Sequence, residues 1–290
     1  MIAHNPYAPG AIVTPGSQRY RIVVGSGRCS LARAPRLYVF KVSHYSERAA
    51  WACDLKGFAY EEVVLLPGLH LLRVRRLATE THLPILVNQG RVIQDSGRII
   101  EYLDGVCPGE PLTPADPEQR LAAERWEREL DGALGTASRR LFYHHTLERP
   151  DFLIAEYCRG APFWARTVYP FMFPQVARAV RVKYGVEPGR VARDLEGMRA
   201  LFARLDRELA ERPFLVGDRF TRADLTLAAM VAPLIRPSGH PVEWADDRTY
   251  PRGYVEATRP FGDTLTAERV REWYRTRRPK KTAGAVNRAA

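Results

Sequence analysis

The residues with the most chemical potential in this chain are Ser43-His44-Tyr45-Ser46, Leu83-Pro84 and Asp95-Ser96. Ser43 to Ser46 stands where a short apolar run, Leu37 to Val42, gives way to a helical pattern from Ser46 to Lys56. A helix N-terminus presents unpaired amides and partial positive charge. It therefore favours a thiolate, lowering a thiol pKa from about 8.5 toward roughly 3.5 to 7.5. A neighbouring hydroxyl adds one more donor. With serine at both 43 and 46 the chain cannot run dithiol exchange there, so the thiol must be borrowed from a bound molecule. The plainer role of either serine is to cap the helix.

Asp95-Ser96 opens another helical pattern, Ser96 to Leu103. Its amides and the Ser96 hydroxyl suit an α-carboxylate, and Asp95 suits an α-amine, with helix capping again the plainer alternative. His144-His145 with Glu148 suggests a metal only weakly, because adjacent helical residues point about 100° apart and no third ligand is evident. Four widely spaced cysteines (Cys29, Cys53, Cys107, Cys158) form no C-x-x-C pair. Reduced cytoplasmic thiols and no metal are expected.

The elements that must position these groups follow from periodicity and punctuation. After the first strand and helix come a strand at Tyr60 to Leu65 and a helix at Leu69 to Arg76. A hairpin follows, Pro84 to Val87 and Arg91 to Ile93, around Asn88-Gln89-Gly90, and then the Ser96 helix. The order βαβαββα, with a right-handed crossover, predicts a four-stranded mixed sheet, the thioredoxin-like arrangement. In that arrangement the Leu83-Pro84 peptide is cis, and the Leu83 main chain faces the first helix, ready to pair with an extended peptide. Helix terminus, strand-entry proline and zwitterion site, in this order, describe a site for a γ-glutamyl tripeptide.

Residues 1–36 read as a basic extension, residues 37–104 as the thioredoxin-like domain and 105–116 as a linker. Residues 117–275 then form an all-helical domain and 276–290 a basic tail. Leu121 to Tyr143 is expected to be one long helix, and Leu195, Met198, Leu201, Phe202, Leu205 and Leu209 mark the buried stripe of another. Thr221 and Asp224 form a capping box, flanked by Phe220 and Leu225. Residues 142–173 hold nine aromatics, about three times the background, and some should line an apolar acceptor pocket.

The formal charge of +11 lies in the ends. Residues 1–36 carry five arginines and no acid, and residues 275–290 carry six basic groups and no acid. The folded part is formally neutral, so composition does not support a nucleic-acid partner. The N-terminus lacks the apolar core of a secretory signal, and Leu225 to Ile235 is too short to cross a bilayer. A soluble, cytoplasmic protein is expected.

Over residues 37–275 the chain resembles the glutathione S-transferase family, in its bacterial-type form with serine at the thiol-activating position. The resemblance rests on four segments: Ser43-His44-Tyr45-Ser46-Glu47-Arg48 with Lys56-Gly57; Leu83-Pro84-Ile85-Leu86; Gln94-Asp95-Ser96 through Leu103; and Phe214-Leu215-Val216-Gly217-Asp218 through Asp224. It implies thiol activation at Ser43, with Ser46 in reserve. Glutathione would be held at Leu83, Pro84, Asp95 and Ser96. It also implies an apolar electrophilic co-substrate, a detoxifying role and a homodimer. Relatives with cysteine at the Ser43 position run thiol-disulfide chemistry, which serine makes less available. Arg73, Arg76 and His82 are the positional candidates for the glycine carboxylate. Alternatives on the same fold are a non-catalytic binding or scaffold protein, or a glutathione-dependent lyase, dehalogenase or isomerase.

Overall fold

The computed structural model describes residues 34–279 and the backbone of 288–289. The extension up to residue 33, with its Tyr20 to Val24 run, Gly25-Ser26-Gly27 and Cys29, lies outside the described residues.

The first half folds as β1 (Arg36–Val39), α1 (His44–Leu55), β2 (Glu61–Val64), α2 (His70–Val74), β3 (Ile85–Asn88), β4 (Arg91–Gln94) and α3 (Ser96–Val106). β1 lies parallel to β2 and antiparallel to β3, and β3 pairs antiparallel with β4. This is the predicted four-stranded mixed sheet. A two-residue strand, β5 (Arg288–Ala289), extends it by pairing parallel to β2. Leu37, Ile85, Leu86, Ile99, Ile100 and Leu103 are completely buried, as expected where helices cover a sheet.

The second half is helical: α4 (Pro117–Glu129), a π-helical segment (Leu130–Gly135), α5 (Thr136–Thr146), α6 (Pro150–Tyr157), α7 (Ala165–Tyr184), α8 (Pro188–Glu211), α9 (Arg222–Ile235), α10 (Arg252–Gly262) and α11 (Leu265–Thr276). The single helix expected at Leu121 to Tyr143 is instead three consecutive pieces. It starts earlier, at Pro117, because Asp116 caps it by accepting from the Gln119 amide at 2.9 Å. The π turn pairs the Asp131 carbonyl with the Thr136 amide, and the same carbonyl also takes side-chain donors. It accepts from the Tyr45 hydroxyl at 3.0 Å and from Thr136 Oγ1 at 3.2 Å.

The capping box is present at the start of α9. Asp224 Oδ2 accepts from the Thr221 amide at 2.8 Å, while Thr221 Oγ1 accepts from Ala223 N at 3.3 Å. Asp224 Oδ1 also holds the Leu215 amide at 2.7 Å, tying the preceding turn to the helix. The buried stripe of α8 matches the predicted one except for Leu195, which is only partly buried.

The chain after α11 departs from a solvated tail at its start. Arg278 is buried, and its guanidinium meets Glu47 at 2.7 Å and Asp54 at 2.6 Å. The Arg277 carbonyl accepts from Trp51 Nε1 at 3.1 Å. A charge run read in isolation suggests solvent. Here the buried acidic face of α1 selects an arginine to neutralise it.

Candidate functional site

α1 begins at His44 because Ser43 is its N-cap, with extended backbone and Oγ accepting from the Ser46 amide at 3.4 Å. That bond uses an acceptor lone pair and leaves the Ser43 hydroxyl hydrogen available as a donor. Ser43 is therefore both a cap and a wall residue of a cavity of about 800 Å³. Ser46 is elsewhere: buried, with Oγ accepting from the Phe40 amide at 3.2 Å, it ties α1 to the end of β1 and is not on the cavity wall. The structure thus separates the two serines that sequence left as alternatives.

The Leu83-Pro84 peptide is cis, and both residues line the same cavity. Among the described residues no hydrogen-bond partner meets the Leu83 amide or carbonyl, so both remain available to an extended ligand. Asp95 adopts φ +87°, a costly left-handed conformation for a non-glycine residue. Three bonds hold it there: its amide to the Pro84 carbonyl at 3.2 Å, and its Oδ1 accepting from Gly97 N at 2.8 Å and Arg98 N at 3.3 Å.

Ser96 Oγ accepts from Arg48 Nε at 2.9 Å and Nη2 at 2.6 Å. A guanidinium only donates, so the Ser96 hydroxyl hydrogen must point to another acceptor, and this residue also stands on the cavity wall. Ser43, Leu83, Pro84, Asp95 and Ser96 are thus brought together on one cavity. Of the three candidates for a glycine carboxylate, only His82 lines it. Arg73 reaches the Tyr38 hydroxyl at 3.4 Å, and Arg76 lies off the wall.

The opposite wall comes from the helical domain. Phe142, Tyr143, Tyr157 and Phe171 line the cavity. Phe152, Tyr169 and Phe173 are instead core residues, while Phe163 and Trp164 are exposed. Burial raises the Tyr143 hydroxyl to about 12 and pushes that of Tyr157 well up. Both stay protonated donors near neutral pH.

Several site residues carry no local signal. His44 is buried on the wall beside Ser43, and burial followed by the Arg139 and Arg48 charges holds its imidazole well below the usual range, hence neutral. Tyr45 also lines the cavity, and burial raises its hydroxyl pKa. Arg48 is fully buried. Besides Ser96 it meets Asp131 at 2.9 Å, Thr226 at 3.2 Å and Glu127 at 3.6 Å. Arg222 continues the network to Glu127 at 2.5 Å and to the Gly97 carbonyl at 3.5 Å. Burial lifts Asp131 to about 6 in spite of Arg48. The thioredoxin-like and helical domains are therefore locked together directly behind Ser96.

His144 and His145 pack against each other, and Glu148 pairs with Arg181. No group able to hold a metal occurs among the described residues. Nor is any described helix long and apolar enough to cross a membrane.

Comparison with known proteins places the fold in one family. Residues 37–111 match the family model of the glutathione S-transferase N-terminal domain, and residues 188–276 match that of its C-terminal domain. A probable glutathione S-transferase of Nicotiana tabacum is 31% identical over 97 residues, 33% of this chain and 44% of that protein. Glutathione S-transferase U1 of Arabidopsis thaliana is 29% identical over 102 residues, 35% of this chain and 46% of that protein. The chain spans just under half the length of these curated relatives.

Among solved structures, the beta-etherase LigF of Sphingobium sp. strain SYK-6 superposes with a TM-score of 0.55 at 20% identity, covering 83% of this chain and 99% of that one. The theta class glutathione S-transferase of Xanthomonas axonopodis pv. citri, with glutathione bound, gives 0.52 at 20% identity, covering 81% and 96%. These likenesses carry the fold. Together the two family models span more than half of the chain, which belongs to the glutathione S-transferase family.

Proposed function

We propose that this chain is a glutathione transferase that binds glutathione along Leu83 and Pro84 and activates its thiol at Ser43. The thiolate then attacks an apolar electrophile held by the helical domain. One observation carries the reading. The Ser43 hydroxyl, the unpartnered Leu83 main chain and the Asp95-Ser96 turn share one cavity with a set of aromatics from the helical domain. Residues 37–104 then hold the thiol, and residues 117–275 hold its acceptor.

The chemistry asked of the protein is modest. The α1 N-terminus and the Ser43 O–H stabilise a thiolate once its proton has gone to solvent. The Leu83 amide and carbonyl align the tripeptide, and the Ser96 hydroxyl donates to the γ-glutamyl carboxylate. Holding both reactants in line supplies the rest of the rate. Attack forms the sulfur–carbon bond, and the leaving group departs with the electron pair of the bond it breaks. Dithiol exchange is not available to Ser43.

Titration with glutathione, followed by assay with an activated aryl halide, tests this. Glutathione is expected to bind and conjugation to fall sharply in Ser43→Ala. A wild type that binds no glutathione would instead favour a scaffold role. Undiminished conjugation in Ser43→Ala would remove the catalytic assignment. The same reading includes a homodimer, which sedimentation checks.

A further inference from the structure

Two cations on the acceptor side of the cavity have no carboxylate partner among the described residues. Arg139, on α5, lies between two rings, its guanidinium carbon 4.8 Å from the Tyr45 centroid and 4.9 Å from that of Tyr184. Lys183, at the end of α7, places Nζ 5.8 Å from the same Tyr184 ring. Tyr184 stacks on Tyr143 with centroids 5.5 Å apart and planes 17° from parallel. All five line the cavity.

The carboxylates on that wall do not answer these cations. Glu156 pairs with Arg159, and Asp95 caps α3. Lys41, the other basic side chain on this wall besides its histidines, is paired with Glu62. Arg139 is half-buried, and no hydrogen-bond acceptor among the described residues meets its five N–H groups. Ring faces hold such a guanidinium in place but leave its in-plane donors unsatisfied. Facing the cavity without a protein acceptor, these donors are free to meet an anionic group of a ligand.

We propose that Arg139 and Lys183, at the border of the stacked Tyr143 and Tyr184 rings, recognise an aromatic second substrate bearing a carboxylate or similarly charged anionic substituent. The rings take the planar apolar part, while the guanidinium fork takes the anion in its own plane. The glutathione carboxylate at Ser96 lies against the sheet domain, whereas these cations belong to α5 and α7. Both helices fall in residues 112–187, between the two matched family segments. This inference rests on the reading of the cavity as a transferase site and adds the charge of its acceptor.

The test uses two inert probes of one shape, 4-nitrobenzoate and 4-nitrobenzamide, titrated into the full chain with glutathione titrated in parallel. The wild type is expected to bind the benzoate at least about tenfold more tightly than the amide, as a charge-assisted contact requires. Arg139→Gln should abolish this preference, Arg139→Lys should keep part of it, and Lys183→Gln should reduce it a few-fold. Lys183 is exposed, so its variant remains informative should Arg139→Gln fail to fold.

Equal affinity for the two probes in the wild type would overturn the inference. So would a preference that survives both substitutions combined. A glutathione affinity that falls in Arg139→Gln together with that for benzoate would overturn it too, by assigning Arg139 to the thiol site. Benzoate preference without glutathione binding would uphold the anion site and sink the transferase reading. Glutathione binding without benzoate preference would do the reverse.

Discussion

Arg48 Nη1 lies 2.9 and 3.1 Å from the two carboxylate oxygens of Asp131, joining α1 to the π turn that follows α4. The same guanidinium fixes Ser96, so one buried residue both locks the two domains and orients a side chain of the proposed glutathione site. Replacing it with methionine leaves Ser96 and Glu127 buried beside an apolar chain. Arg48→Met is expected to cost about 3 to 5 kcal/mol, read from urea denaturation. Glutathione affinity should fall in the same variant at temperatures where it remains folded.

In the proposed reaction Ser43 acts on the thiol more than on the fold. Its capping bond is long at 3.4 Å, so Ser43→Ala should cost no more than about 1 kcal/mol of stability. Loss of the O–H donor should lower kcat/KM by about a hundredfold. It should also raise the pH at which the absorbance of bound thiolate appears. An unchanged thiolate titration would show that the helix terminus alone suffices.

Gly97 lies where a methyl group would run into Glu127, and that carboxylate is itself held by Arg222. Overpacking at an immobilised partner costs about 1 to 3 kcal/mol. Gly97→Ala should lower the denaturation midpoint by that amount. The double change with Glu127→Ala should cost less than the sum of the two singles, since it removes the side chain that the methyl runs into.

His70 supplies a pH dependence whose sign is set by burial. Its Nε2 faces the Thr81 carbonyl at 3.2 Å, and burial lowers its pKa from 6.5 to about 4. The folded chain then binds fewer protons here than the unfolded chain between those values. The stability is complete above 6.5 and is lost as pH falls toward 4. Asp131 and Asp224, both raised to about 6 chiefly by burial, work the other way over the lower part of this range. The difference between wild type and His70→Gln isolates the histidine. Urea midpoints at about pH 7 and about pH 5 should show the wild type's advantage shrinking at the lower pH.

Arg278 faces Glu47 and Asp54 with its own side chain buried. Arg278→Ala should destabilise by about 3 kcal/mol, because Glu47 is left buried without its guanidinium. Thermal unfolding checks this. A variant as stable as the wild type would return the segment to the solvated tail its composition suggests.

The sequence by itself determined what short-range chemistry decides. A serine cap at Ser43 or Ser46, the Thr221-Asp224 box, the βαβαββα order and the helix start at Asp95-Ser96 each depend on neighbours within a few residues or on a repeating period. All were legible without coordinates. Even there, Leu121 to Tyr143 read as one regular helix, because an apolar period continues through a π turn whose Asp131 carbonyl also accepts from Tyr45, 86 positions away.

Only the tertiary structure decided which polar groups meet. Arg48 finds partners 48, 83 and 178 positions away, and Arg278 finds Glu47 at a separation of 231. An arginine on a helix is ordinarily a solvated residue. It becomes a domain lock only when packing removes its water and determines which acceptors replace it, and a candidate anion receptor such as Arg139 when packing sets it on a cavity without a carboxylate partner. The same packing chose four of the nine clustered aromatics for the cavity, made three of them core and left Phe163 and Trp164 in solvent.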